Sequence, residues 1–350
     1  MTTLAALPAP VHLEDASLQP LPWRRMAWVT WRQHRVALVG LAVLLGSAAV
    51  YLWLQGRQIH HAYGTAVGCH AATSGACVNA INYFTSTYNL TARKIPALLI
   101  QTVPALIGAF LGPPVLAREL ENGTFRYAWT QGFGRWRWTL AKLVFLAFLA
   151  ATAAELFSLL WSWYYQPFIA DGQTNPLAAF IFNLRGVTFA FWTLVAFAIG
   201  GFAGLLIHRV VPALVATLAT YAGLALVVGV FLRQHYLTPL IARQQNLLAS
   251  SAWVTGNWAT KGGRTVFSFT GAPTNNMLGL FCPSGVTVKP SSGLVGGFAQ
   301  CLSQHGYTLW ASYQPASRFW PFQWIESGWL LALSALLIAA TVWLVRRRVG

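Results

Sequence analysis

The 350-residue chain is 56% apolar and 9% charged, and its formal net charge is +16 at pH 7. Soluble domains carry roughly 25% charged residues, whereas here the apolar surplus is gathered into runs that reach the roughly 20 residues a bilayer crossing needs. That excludes a soluble enzyme and a nucleic-acid-binding domain, which would need a soluble basic face; the positive charge reads as topology and attraction to anionic lipid.

Residues 1–21 are Pro- and Ala-rich without periodicity and read as a disordered cytoplasmic lead. No small-x-small site follows the first apolar run, so no cleavable signal peptide is expected. In residues 22–35, PWRRMAWVTWRQHR, a helix sets Trp23, Met26, Ala27, Thr30 and Trp31 on one face and Arg24, Arg25, Arg32 and Arg35 on the other. This predicts an interfacial elbow helix on the inner leaflet, and the same arginines also serve to orient the first span.

Six spans follow: Val36–Leu54, Ile95–Leu116, Leu140–Tyr165, Ile181–Ile207, Val210–Leu232 and Ile325–Val345. With the N-terminus inside, 13 of the 23 Lys and Arg fall in short cytoplasmic pieces, although Arg93 and Lys94 run against the rule. Spans one to five then occupy 36–232, with an extracellular loop over 55–94 and a cytoplasmic loop over 117–139. Residues 233–324 form an extracellular domain, and 325–350 the last span with a basic tail.

The second span carries Pro96, Pro104, Pro113, Pro114 and Gln101. Such a helix frees backbone carbonyls, which requires a protein-facing or water-lined environment; packing against neighbours is the plainer reading. Glu155 is the only acid deep in a span and should face protein or water. Arg185 is its natural partner across the hairpin, with a substrate or proton contact, or a silent protonated acid, as the other readings. Ala196, Gly200 and Gly204 form a small-residue seam for close helix approach. Thr217, Thr220 and Tyr221 are the polar stripe of the fifth span, suited to lining a route or to helix–helix hydrogen bonds. A translocation path over Gln101, Glu155, Thr217, Thr220 and Tyr221 is therefore expected. Glu326, among Trp320, Phe322, Trp324 and Trp329, reads as an interfacial anchor.

The 233–324 segment has Gly/Ser/Pro turns around short β-type runs such as Thr265–Thr270 and Val286–Val288. Cys69 and Cys77 lie in the first outside loop, Cys282 and Cys301 in the last. An even count in an oxidising compartment suggests disulfides. Of three possible pairings, loop closure favours Cys69–Cys77 with Cys282–Cys301. Zinc held with help from His60, His61 and His70 is the rival, but the spacing matches no standard ligand pattern.

The stretch Leu116–Lys142, LARELENGTFRYAWTQGFGRWRWTLAK, is the one long polar insertion between apolar runs with clustered charge, holding five of the 23 Lys and Arg and two of the seven Asp and Glu. Gly123 suits the left-handed cap that ends the helix continuing from the second span, and Thr124 can N-cap a new short helix. Phe125, Ala128 and Trp129 then share one face. Gly132-Phe133-Gly134 breaks it. Two turns of surface helix are marginal alone, so this helix is expected to dock into something.

These residues resemble the first cytoplasmic loop of type-2 ABC transporter permeases, the drug- and polysaccharide-export class. The shared pattern is an acidic residue, Gly-Thr, a short amphipathic helix ending near Gln, an Arg-containing turn and a Lys opening the third span. Here those are Glu119, Glu121, Gly123-Thr124, Gln131, Arg135 and Lys142. The six-span, N-in layout is also similar, whereas the long segment before the last span departs from the minimal plan. The chain is similar too to permeases of GC-rich bacteria, consistent with 19 Arg against 4 Lys. The resemblance implies a coupling helix over Thr124–Gln131 seated on an ATP-binding subunit, with Glu119, Glu121, Gly123, Thr124, Phe125, Trp129, Gln131 and Arg135 as the coupling residues.

No G-x-x-x-x-G-K-[ST] string is present; Gly256–Lys261 lacks the Gly-Lys-Ser/Thr end. No Gly-x-Ser-x-Gly or His-Glu-x-x-His occurs either. The chain is therefore expected not to be an enzyme and to hold no cofactor, with ATP and Mg bound by the partner. The expected fold is an all-α polytopic membrane protein with six transmembrane helices, both termini cytoplasmic, and a small disulfide-containing extracellular region. The expected function is the permease subunit of an ABC exporter in a bacterial plasma membrane, partnered by a second copy of itself, two ATP-binding subunits and lipid, with no nucleic acid. A sensor or anchor with a working external domain, or a proton-coupled carrier using Glu155, are the alternatives.

Overall fold

The computed structural model describes residues 23–68, 75–88, 94–121, 135–170, 175–243, 252–270 and 293–348. Helix α1, Trp23–Val67, is 45 residues long, about 67 Å at 1.5 Å per residue. No Gly or Pro falls between Trp23 and Val39 to break it, so the amphipathic 22–35 segment and the first span are one rod. The rod also extends through residues 55–67, well past the apolar run. A second helix, α2, covers Gly75–Tyr88.

The second span is broken, as α3 (Ile95–Ile100) and α4 (Val103–Glu121). Pro104 lacks an N–H and its ring crowds the carbonyl four residues back, and Gln101–Thr102 absorbs the disruption. The Thr102 hydroxyl donates to the Leu99 carbonyl at 2.7 Å, partnering one carbonyl beside the break. Helix α5, Arg135–Ala170, forms the third span.

The fourth span, α6, covers Thr188–Ile207 and starts later than the apolar run from Ile181 suggested. Gly186 sits at φ +68, where an added Cβ would lie 2.8 Å from Gln323 Oε1. The backbone before α6, irregular apart from a single helical turn at Ala179–Phe182, is buried around Leu177, Ile181, Phe182 and Leu184. Its polar groups are met by side chains from neighbouring spans. Ser158 Oγ donates to the Leu184 and Gly186 carbonyls at 3.1 and 2.9 Å, and Gln323 Nε2 to the Phe182 carbonyl at 3.0 Å. Non-helical backbone among spans is tolerable where protein supplies such partners.

Helix α7, Val210–Val227, runs on through a π turn and a 3-10 turn to His235. A four-stranded antiparallel sheet follows, with β1 (Leu240–Arg243), β2 (Trp253–Lys261), β3 (Arg264–Phe269) and β4 (Thr308–Gln314) in the order β1-β4-β2-β3. Gly262 and Gly263, both at positive φ, turn the β2–β3 hairpin. Alternate residues of β2 and β4 point inward, pairing Ala259 with Leu309 and Asn257 with Ala311. Helix α8, Gly293–Gln304, brings Phe298 and Leu302 onto Ala259 and Leu309 as a small separate core. The all-α expectation thus holds for the spans only, because the alternation between the last two spans is that of strands. The Val286–Val288 run lies outside the described residues.

The last span is α9, Phe319–Arg348. Among the described residues, six helical stretches are long and apolar enough to cross a membrane: Thr30–Val67, Ile95–Glu121, Trp136–Ala170, Thr188–Ile207, Val210–His235 and Ala316–Arg347. The apolar windows of the second and fourth are 56% and 67% buried against 11% for the first, so α4 and α6 form the centre and α1 lies outside. The Ala196, Gly200, Gly204 seam makes that centre possible. A Cβ on Gly108 would fall 2.4 Å from that of Ala196, and one on Gly204 would fall 2.6 Å from the Pro113 carbonyl oxygen.

Candidate coupling site

Helix α4 leaves the bundle at Glu121 and α5 re-enters at Arg135; the end where they do so is the loop end, opposite the sheet end. Gly123, Thr124, Phe125, Trp129 and Gln131 lie outside the described residues, as does the side chain of Arg135. Both stems of the loop are described. Lys142, two turns inside α5, is only 2% exposed. Its ammonium donates to Glu119 Oε1 at 2.6 Å, Gln33 Oε1 at 2.9 Å and the Val115 carbonyl at 3.4 Å. All three ammonium protons thus have acceptors, as burial of so polar a group requires. The clamp joins the loop's two stems to α1. Glu121, exposed, accepts at 3.4 Å from the Val210 amide that opens α7, a favourable place for a carboxylate beside a helix N-terminus.

The sheet end holds a second ion pair, one that sequence reasoning missed. Arg233 Nε and Nη2 donate to the two oxygens of Glu326 at 3.0 and 2.7 Å. The side chains are 1% and 0% exposed. Trp192 Nε1 donates to Glu326 Oε1 at 2.8 Å and the Tyr236 hydroxyl to Oε2 at 3.2 Å. Arg233 also donates to Asn183 Oδ1, and its guanidinium lies 4.4 Å over the Phe182 ring. Burial, with the Glu326 carboxylate beside it, pushes the Tyr236 phenol above its ordinary range and keeps it a donor. Glu326 is therefore no interfacial anchor. Helix α9 begins at Phe319, which sets the residue two turns inside, where Arg233 meets it.

The expected Glu155–Arg185 pair does not form. Glu155 Oε2 and Arg185 Nε are each buried without a hydrogen-bond partner. Arg185 instead lies 5.4 Å over the Phe319 ring, and burial lowers its pKa. The reason is the irregular 175–187 segment, which carries Arg185 towards α9.

Of the other expected path residues, Gln101 sits at the α3/α4 break with its Oε1 buried and unpartnered. Thr217 is fully buried and donates to the Ala213 carbonyl at 2.7 Å. Tyr221, one turn on, meets Trp192 edge to face at 5.5 Å, while Thr220 is exposed. Among the described residues no hydrogen bond or ion pair joins any two of Gln101, Glu155, Thr217, Thr220 and Tyr221.

Cys301 is fully buried in α8 and disulfide-bonded. Cys69, His70 and Cys282 lie outside the described residues, as does the side chain of Cys77 in α2. His60, a member of the rival zinc set, stacks on Trp163 at 4.7 Å and its Nε2 lies 2.9 Å from that residue's carbonyl.

The family model described as ABC-2 membrane transporter related matches residues 31–233. The match takes in the first five span-length helices and both loop stems, and ends at Arg233, before the sheet. No curated protein and no solved structure matches the chain. With six helices among the described residues long and apolar enough to cross a membrane, and a family match over more than half its length, the chain is a multi-pass membrane protein that belongs to the ABC-2 membrane transporter related family.

Proposed function

We propose that the chain is the permease subunit of an ABC exporter in a bacterial plasma membrane. It works as a dimer with two copies of an ATP-binding subunit, which hold the ATP and Mg. The Thr124–Gln131 segment docks into that subunit on the cytoplasmic side, with Glu119, Glu121, Gly123, Phe125, Trp129 and Arg135 shaping or flanking the contact.

The observation that carries this reading is the Lys142 clamp. It ties both loop stems, through Glu119 and the Val115 carbonyl, to α1 at Gln33. A push on the loop therefore moves the first three spans together, and the Glu121 contact with Val210 extends it to α7. Transport follows from ATP-driven switching between two arrangements of the spans with different affinities for cargo. The small-residue seam between α4 and α6 lets that central pair move as one body. Outside the membrane, local Cys69–Cys77 and Cys282–Cys301 disulfides would brace the external parts.

The test is co-purification. Alone, the chain should hydrolyse no ATP; co-expressed with an ATP-binding subunit encoded beside it, it should give a stable complex with ATPase activity. ATP hydrolysis by the chain alone would end this reading.

A further inference from the structure

We propose that the cavity between α1, α4 and α5 at the loop end binds a phosphate-bearing anion. The cavity holds about 290 Å³ and is lined by Arg32, Gln33, His34, Arg118, Glu119 and Lys142, with Pro114 as its apolar side. At about 30 Å³ per water that is room for roughly ten waters, enough for a headgroup and not only a single ion.

Three cations and one carboxylate face this space. Lys142 and Glu119 are spent on each other. Arg32 and Arg118 are left, both exposed, and neither makes an ion pair among the described residues. Arg32 lies 5.4 Å over the Trp28 ring, a stacking that leaves the guanidinium edge available. His34 supplies the independent sign of a missing ligand. It is 5% exposed, and its Nε2 is buried with no hydrogen-bond partner. A buried polar atom is stable only when partnered. An anion in the cavity would take that imidazole N–H together with two guanidinium forks, a donor set matched to phosphate oxygens.

The site's depth favours a lipid as the source. Trp28 and Trp31, on the helix that carries Arg32 and His34, are 60% and 51% exposed, and exposed tryptophans gather at headgroup level. Inorganic or nucleotide phosphate is the alternative source of the same chemistry. The site consists of this chain's residues alone, so it stands apart from the proposed ATP-binding partner.

The full-length chain, delipidated in detergent, is titrated with phosphatidylglycerol or with diacylglycerol, which has the same chains without phosphate, and bound lipid is counted by native mass spectrometry. A parallel arm reads the thermal shift given by inorganic phosphate. The expected result is preferential retention of phosphatidylglycerol, reduced roughly tenfold when Arg32→Gln and Arg118→Gln are combined, since charge-assisted bonds are lost. His34→Ala should weaken it by a smaller factor. Arg346→Gln, at an exposed arginine that does not line the cavity, should change nothing. A phosphate-dependent thermal shift lost in the double variant, without lipid preference, would uphold the site and assign it to soluble phosphate. The proposal fails if the double variant matches the parent in both arms, or if Arg346→Gln costs as much as the cavity arginines.

Discussion

The two ends of the helix bundle each carry a buried ion pair, built to different standards. At the sheet end both partners are effectively inaccessible, and the Glu326 carboxylate takes four hydrogen bonds from Arg233, Trp192 and Tyr236. At the loop end Glu119 remains 13% exposed, and the pair borders a polar cavity. A charge pair sealed on all sides has one good geometry, because any displacement leaves a charge without water or partner. A pair that water reaches tolerates rearrangement. The sheet end is thus the fixed end of α6, α7 and α9. The loop end, where the proposed partner docks, is the end that can shift.

The sharpest way to break this contrast is Glu326→Ala. It strands the Arg233 guanidinium in a dry site, and removing one member of a buried pair costs about 3–5 kcal/mol. Thermal unfolding in a fixed detergent should show a large loss. Replacing both members, Arg233→Met with Glu326→Leu, should recover much of it, because the desolvated charges leave together. A single variant as stable as the parent would mean that the sheet end is not held by this pair.

Next in size is Trp129→Ala in the proposed coupling helix. Truncating one aromatic anchor in a small docking site removes about 2 kcal/mol or more of binding, roughly a thirtyfold loss of affinity for the ATP-binding subunit. Phe125→Ala should act in the same direction. Gly123→Val should misdirect the helix without altering its docking face, since a β-branched residue resists the left-handed cap. In all three, unfolding of the isolated chain should match the parent. If all three variants pull down the subunit as well as the parent, the loop is ordinary surface helix.

The sequence displays the spans and hides the pairs, for physical reasons. Runs of apolar residues announce membrane helices one by one, and the Gly200 seam announces close approach. Helix ends are harder to read, because the helix continues through polar flanks such as 23–35 and 55–67, where no proline breaks it. The start of the fourth span depends on Gly186 and on Gln323, which lies far along the chain. Arg233 and Glu326 are 93 residues apart, and each borders its apolar run, so each reads as a mouth residue until the helices are seen to extend. A simple hairpin between the third and fourth spans would pair Glu155 with Arg185; the 175–187 segment removes that neighbourhood. Glu119 and Lys142 both stood out in the loop motif, and only the fold shows that they meet. Strand periodicity gave away β3, whereas the small core under Phe298 needed three dimensions.

The smaller of the two losses expected from breaking an ion pair is the more informative about function. Lys142→Met keeps the length of the stem and removes the ammonium, leaving Glu119, Gln33 and the Val115 carbonyl without their shared donor. Glu119 can turn to water, so the loss should be about 1–2 kcal/mol, the low part of the range for an unpartnered polar group, and well short of Glu326→Ala. Its functional effect should run the other way. With the stems untied, force on the loop no longer reaches α1, so the complex should still form and hydrolyse ATP while transport falls. Glu119→Gln should give a milder version, because a neutral amide still accepts from the ammonium. The readout is the ratio of transport to ATP hydrolysis in reconstituted vesicles, beside unfolding of the same protein. A Lys142→Met variant as destabilised as Glu326→Ala would erase the difference between the two ends. One that transports with unchanged coupling would show that the clamp holds structure and carries no force.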